Sequence, residues 1–203
     1  RIELAPHGDE VGRARVPLVQ LVGGQVVDLA PVHAGVDMAE HGVHLWTAAR
    51  LFAHIGMALF DTYVAIWDSK FEYNHWRPYT AIWEAGSDGN PRTVADPGWE
   101  PLRTTPPFPE YVSAHSAACN VSLGVLAEAF GNRTRFTMET TTAPPGMPTR
   151  SFKSFTAAGD ECADSRVRLG WHFRYATDAG IRLGRKVADY VVGRFFRSQC
   201  RHS

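Results

Sequence analysis

From about Asp37 to Trp67 the apolar residues Leu45, Leu51, Phe52, Ile55, Leu59, Tyr63 and Ile66 recur at helical spacing. A helix of that length, with an apolar stripe along it, has to be covered by other elements, and most of the remaining pattern is helical too. A second helical stretch carries Lys70 to about Trp83. Further helices are expected from Ser113 to about Phe130, closed by Gly131-Asn132, from Phe155 to Leu169, stopped by Gly170, and from Thr177 to Phe196. Gly86 to Pro109 is rich in Gly, Pro, Asp and Thr and reads as loop, and a loop that long inside a compact domain is usually functional. Residues 133–150, with Pro144-Pro145-Gly146, read as a short hairpin or excursion. The fold class expected is all-α: a single helical-bundle domain over 36–203, behind an extended, irregular segment over 1–35.

At 203 residues, 44% of them hydrophobic, the chain can enclose one real core. Acidic and basic residues balance at 21 each, so no global field draws in nucleic acid or a membrane surface. No apolar run reaches the roughly 20 residues of a membrane-spanning helix. The longest candidate, Ile55 to Trp67, is interrupted by Asp61. A soluble protein is expected, with neither nucleic acid nor membrane as partner. The chain opens on Arg1 rather than Met, which reads as removal of a preceding segment, and a secreted or periplasmic address is expected ahead of a cytoplasmic one. Cys119, Cys162 and Cys200 are too few for a disulfide framework and match no zinc spacing.

The chemistry sits in three clusters: Lys70-x6-Arg77-Pro78, Ser113-Ala114-His115, and Ser165-Arg166-x5-His172. Lys70 and Arg77 are two helical turns apart, which on one helix returns both to nearly the same face about 10 Å apart; Pro78 biases that helix to kink or break there. Taken alone, such a pair is more often a solvated basic face, yet its neighbours Trp67, Phe71, Tyr73 and Trp76 are aromatic. Ser113 has the character of an N-cap, and a helix N-terminus offers free N–H groups and a positive dipole end to an oxyanion. His115 falls in the first turn behind it. Arg166 closes a helix, and Gly170 lets the chain bring His172 back toward the same region. A guanidinium binds oxyanions with two parallel N–H bonds and keeps its charge; a neutral imidazole can ligate a metal or act as nucleophile. Each cluster alone has a bland reading, as surface ion pair, cap or core histidine. Together they describe the walls of one tetrahedral-oxyanion pocket.

In this order and spacing the clusters resemble the shared signature of the vanadium-dependent haloperoxidases and the type 2 phosphatidic acid phosphatase superfamily, K-x6-RP, PSGH and SR-x5-H. The match spans about residues 61–185. The resemblance implies a helical bundle that holds vanadate or phosphate. It implies His172 as the residue that binds vanadium or attacks phosphorus, and Lys70, Arg77 and Arg166 as cations on the equatorial oxygens. Ser113 and the Ala114 amide become the remaining donors, and His115 the acid–base imidazole. The residues around Lys70, with Trp76 just before Arg77-Pro78, are most similar to the soluble haloperoxidases. Trp67 and Phe108 fall where chloroperoxidase-type members have halide-pocket walls, although both serve equally well as core filler.

That resemblance implies vanadate as cofactor, with hydrogen peroxide and halide as partners, or a phosphate ester if the chain is instead a soluble acid phosphatase working through a phosphohistidine. A homo-oligomer, or an N-terminal portion of the same protein outside this sequence, stays open. The chain departs from the signature at Val112 and Ala114, where proline and glycine are usual, and Ala114 would resist a positive φ. The phosphatases usually carry an acid four residues after the last histidine. Here that position is Ala176 and the acid is Asp178, which leaves the orienting partner of His172 unassigned. Cys119 lies one turn after His115 and Cys162 one turn before Arg166, so a contact or disulfide between them is expected, with two buried thiols the alternative. Asp61, Asp68, Glu161 and Asp164 could orient site groups, though surface ion pairs are the simpler account. His41 and His44 read as ordinary helix-surface histidines.

Overall fold

In a computed structural model of the chain, residues 19–22, 25–28, 43–139 and 149–196 are described. His41, Cys200 and most of the 1–35 segment lie outside them. Two short strands, β1 (Val19–Val22) and β2 (Gln25–Asp28), pair antiparallel where the sequence reads only as extended. The helices are α1 (Leu45–Tyr73), α2 (Pro78–Trp83), α3 (Ala114–Phe130), α4 (Phe155–Arg168) and α5 (Arg174–Arg194). A second antiparallel hairpin, β3 (Phe136–Glu139) with β4 (Thr149–Phe152), links α3 to α4. The all-α expectation is met: helices carry the core and the strands are appendages.

α3 is the central helix. It is apolar on every side, and ten of its seventeen residues are buried, many of them small (Ala114, Ala117, Ala118). α5 crosses it on a ridge of small residues, Ala176, Gly180, Gly184 and Ala188, one turn apart. A Cβ at Gly180 would stand 2.6 Å from the Ser113 carbonyl oxygen, and one at Gly184 would collide with the Ala117 carbonyl. These two glycines let α5 lie against the α3 backbone at its N-terminal turns, where the site is built. α4 is tied to α3 by Asn120, whose amide donates to the Gly159 carbonyl at 3.2 Å, and α1 closes the core with Leu51, Ile55, Leu59, Tyr63 and Ile66. Asn120 is 3% exposed, so Asn120-Val121-Ser122, which has the pattern of a glycosylation sequon, is shut away in the folded protein.

By length and composition alone the stretch Leu45–Trp83 could cross a membrane. One face of α1 is nevertheless in the protein core, and the other leaves Phe60, Val64 and Phe71 exposed.

The sequence reading puts Lys70 and Arg77 on one helix; the structure separates them. α1 runs through Lys70 to Tyr73 and ends at Asn74 in the left-handed region (φ 45°). Arg77 is the extended N-cap of α2 (φ −83°, ψ 159°), with Pro78 in its first turn. Proline explains this: it disfavours an α conformation at Arg77 and is itself well placed to start a helix.

Candidate active site

Four segments converge at one end of the bundle: the end of α1, the N-cap of α2, the strap Phe108–Ser113 leading into α3, and the turn between α4 and α5. The strap organises the others through its carbonyls. Lys70, fully buried, donates its ammonium to the carbonyls of Pro109, Glu110 and Val112 at 2.8, 3.0 and 2.8 Å. All three ammonium protons are thereby engaged, so Lys70 gives the site charge at a fixed place and must release a carbonyl to meet a guest directly. Burial, and next the Arg77 charge, lower its pKa to about 7. Arg77 Nε donates to the Phe108 carbonyl at 3.0 Å, and Nη1 to the Trp171 carbonyl at 2.9 Å.

Nη1 of Arg77 also lies 3.1 Å from His172 Nε2. An arginine only donates, so this contact requires a lone pair on Nε2. On the other side of the ring, His172 Nδ1 is 2.8 Å from Glu110 Oε1, with Glu110 wholly buried. The ring is therefore neutral with its proton on Nδ1, in accord with a pKa held well below the usual imidazole value by burial and then by Arg77 and Lys70. Glu110 is the acid that meets His172, a partner that sequence spacing did not supply. It comes from the strap and not from one turn after His172. The one signal in the sequence was an acid inside an otherwise apolar Pro-Phe-Pro-Glu-Tyr run.

Ser113 caps α3, its Oγ accepting from the Ser116 amide (3.4 Å) and hydroxyl (2.9 Å). Ala114 is the first helical residue; it is not among the residues with positive φ, so the substitution for glycine carries no backbone strain. His115 follows, its ring 6.4 Å from that of Trp171. Burial, then the charges of Arg166, Lys70 and Arg77, push its pKa down to about 3. Arg166 packs its guanidinium over the Trp171 ring at 5.3 Å and donates from Nε to Ser165 Oγ at 2.9 Å. The anticipated disulfide is present: Cys119 and Cys162 join α3 to α4, one turn from His115 and from Arg166.

Phe108 stands 5.2 Å from the Lys70 ammonium and 5.1 Å from the Arg77 guanidinium, and Trp67 meets it edge-on at 5.1 Å. Phe108 thus borders the buried cations, and Trp67 packs against Phe108. The acids weighed for second roles behave as surface groups: Glu161 pairs with Arg150, and Asp164 with Arg168 and Arg174. A groove of about 250 Å³ among α3, α4 and α5, which includes Asn120, Gly124 and Arg185 in its lining, shares none of the motif residues.

Lys70, Arg77 and Arg166 are formally three positive charges against the single carboxylate of Glu110, and Arg77 Nη2 is buried without a partner. An unmatched buried donor in a field of excess positive charge is the complement of a multiply charged oxyanion. The family described as VCPO second helical-bundle domain matches residues 50–199. The chain belongs to it. This VCPO-type bundle is 34% identical over 90 residues to the vanadium chloroperoxidase of Curvularia inaequalis, a match covering 39% of the chain and 14% of that protein. It superposes on the crystal structure of the first bacterial vanadium-dependent iodoperoxidase with a TM-score of 0.65 and 35% identity, over 77% of the chain and 36% of that structure. A bacterial vanadium-dependent chloroperoxidase in holo form shares the fold, with a TM-score of 0.57 at 22% identity over 73% of the chain and 36% of that one. The VCPO-type bundle thus spans about a third of the solved relatives.

Proposed function

We propose that the chain carries the catalytic bundle of a vanadium-dependent haloperoxidase, which oxidises halide with hydrogen peroxide, consuming one proton from solvent, to hypohalous acid and water. The observation that carries this reading is the His172 ring: a lone pair fixed on Nε2, beside Arg77 with a buried donor still to be matched. Family membership and the likeness to an iodoperoxidase support it.

Vanadate fits this cluster, with His172 Nε2 as its ligand and Arg77, Arg166, Ser113 and the Ala114 amide as donors to its oxygens. When bound, it would supply Lewis acidity toward peroxide without a change of oxidation state. The rest is the work of the chain. An occupant of Nε2 releases Arg77 Nη1, which joins Nη2 as a second donor. Lys70 supplies a nearby positive charge that favours the anionic form of peroxide, and giving up one strap carbonyl would let it donate as well. His115, held neutral by burial and by the cations around it, regains basicity when a bound oxyanion offsets those cations, and so accepts the proton that peroxide loses on entry and returns it to the oxygen leaving as water. Trp67 and Phe108 give the halide an apolar wall beside the cations. Each well-aimed donor is worth about 3 kcal/mol by analogy with oxyanion-hole donors.

Glu110 also favours a second reading. A nucleophilic His172 in a phosphatase needs an orienting acid, and Glu110 is placed to be one. Bromination dependent on halide and peroxide, measured beside aryl phosphate hydrolysis with and without vanadate, separates the two. Vanadate should activate the first and inhibit the second. His172→Ala should abolish both oxyanion binding and halogenation, and a variant retaining both ends the proposal. The half-buried α1 suits a soluble protein and the Cys119–Cys162 bridge an oxidising, secreted or periplasmic address, and a further N-terminal portion or a second copy remains the partner to look for.

A further inference from the structure

Glu110 is the most firmly held side chain in the site. Its Oε1 accepts from both His172 Nδ1 (2.8 Å) and the Phe173 amide (3.0 Å). Its own amide donates to the His75 carbonyl at 2.9 Å, and its carbonyl takes one proton of Lys70. Four attachments to three other segments leave this carboxylate no freedom to follow the imidazole; the imidazole must follow it. Oε2 meanwhile is buried with no partner, an expense the fold would avoid if a neutral side chain served as well.

We propose that Glu110 is the positioning residue of the site: it holds His172 in the Nδ1-protonated tautomer and aims the Nε2 lone pair at the place where the oxyanion's central atom binds. This rests on the reading of His172 given above. Without the carboxylate, only the Arg77 Nη1 contact would choose the tautomer, and a guest at Nε2 displaces that contact. The choice would then be lost at the moment it matters. Partners of this kind around metal-binding histidines typically change affinity 10- to 100-fold when removed.

The test combines ¹⁵N spectra of labelled histidine with equilibrium dialysis of orthovanadate and inorganic phosphate, on wild type, Glu110→Ala and Glu110→Asp. Wild type should show His172 as a single Nδ1-protonated tautomer. Glu110→Ala should show a tautomer mixture and roughly 10- to 100-fold weaker vanadate binding. Glu110→Asp keeps the charge but withdraws the oxygen by one methylene; it should fold and lose about tenfold. A folded Glu110→Ala with an unchanged tautomer and wild-type affinity overturns the proposal, and so does wild-type affinity in Glu110→Asp should the alanine variant fail to fold. Wild-type protein that binds neither oxyanion defeats the functional reading first and takes this proposal with it, whereas equal binding by wild type and variants defeats positioning alone.

Discussion

Lys70 and Arg77 reach the site anchored on carbonyls of the strap and of Trp171, with Arg77 Nη2 the part left without a partner, whereas Arg166 and His115 reach it almost unbonded. Among the described residues, Arg166 makes one hydrogen bond, to the neighbouring Ser165, and the His115 ring makes none. Packing against Trp171 and the Cys119–Cys162 bridge hold the second pair instead. One half is therefore built mainly into the fold, with Arg77 Nη2 its share for a guest, and the other is left almost wholly with capacity for one. Loss of a residue from the first half should be felt as stability; loss from the second, as affinity.

The largest effect expected is that of Lys70→Met. It strands three buried carbonyls and removes one of the two cations that act on Glu110, Arg77 remaining, at a cost of about 3–5 kcal/mol in urea unfolding. Arg166→Met, of similar size but in the other half, should cost less than about 1 kcal/mol, while oxyanion binding drops by about tenfold or more. Equal stability losses would erase the distinction.

Replacing both Cys119 and Cys162 by alanine comes next. The bridge spans 43 residues, and its removal should cost about 3–4 kcal/mol. Because it lies one turn from both His115 and Arg166, phosphate or vanadate affinity should fall as well, with the Arg77–His172 contact intact in the spectra. Unchanged affinity would mean that packing on Trp171 alone positions the open half.

The sequence carried the open half well and the closed half poorly, for a physical reason. Ser113 as cap, His115 in the first turn and the turn at Gly170 follow from local rules of helix ends and turns, and the Cys119–Cys162 contact from the one-turn offset of each cysteine from a site residue. The partners of Lys70 and Arg77 are backbone carbonyls between 31 and 94 residues further on, and every residue has a carbonyl, so no pattern of side chains announces them. Glu110 escaped for the same reason. Its contact with His172 bridges 62 residues and comes from a loop, where periodicity says nothing. The break between Lys70 and Arg77 was signalled by Pro78, but composition did not fix where the chain would bend.

A smaller effect separates the halves by pH. An unfolded histidine takes up its proton below about 6.5, whereas His115 resists down to about 3. The unfolded state thus binds more protons in that window, and His115 makes stability fall as pH drops through it. Glu110 acts in the opposite sense: burial raises its pKa from 4.5 to about 7, so the folded state holds the extra proton as pH falls between those values. His115→Gln should therefore recover about 1–2 kcal/mol of the stability lost between pH 7.5 and 5, read from urea unfolding at the two values. Identical pH dependence in wild type and variant would show that the low pKa of His115 is not what the fold feels.

Ser113 lies on the seam and should show the smallest change. Its amide donates to the Ala176 carbonyl at 3.1 Å, which belongs to the fold, and its Oγ caps α3. That oxygen accepts from the Ser116 hydroxyl and amide, which leaves the Ser113 hydroxyl proton as the donor still to be placed. Ser113→Ala should cost about 1 kcal/mol for the lost cap. If the hydroxyl proton is meant for the guest, orthovanadate binding should also weaken about three- to tenfold, with phosphate following in parallel. A stability loss at unchanged affinity would assign the side chain wholly to the cap and leave the Ala114 amide as the donor that this turn of α3 contributes.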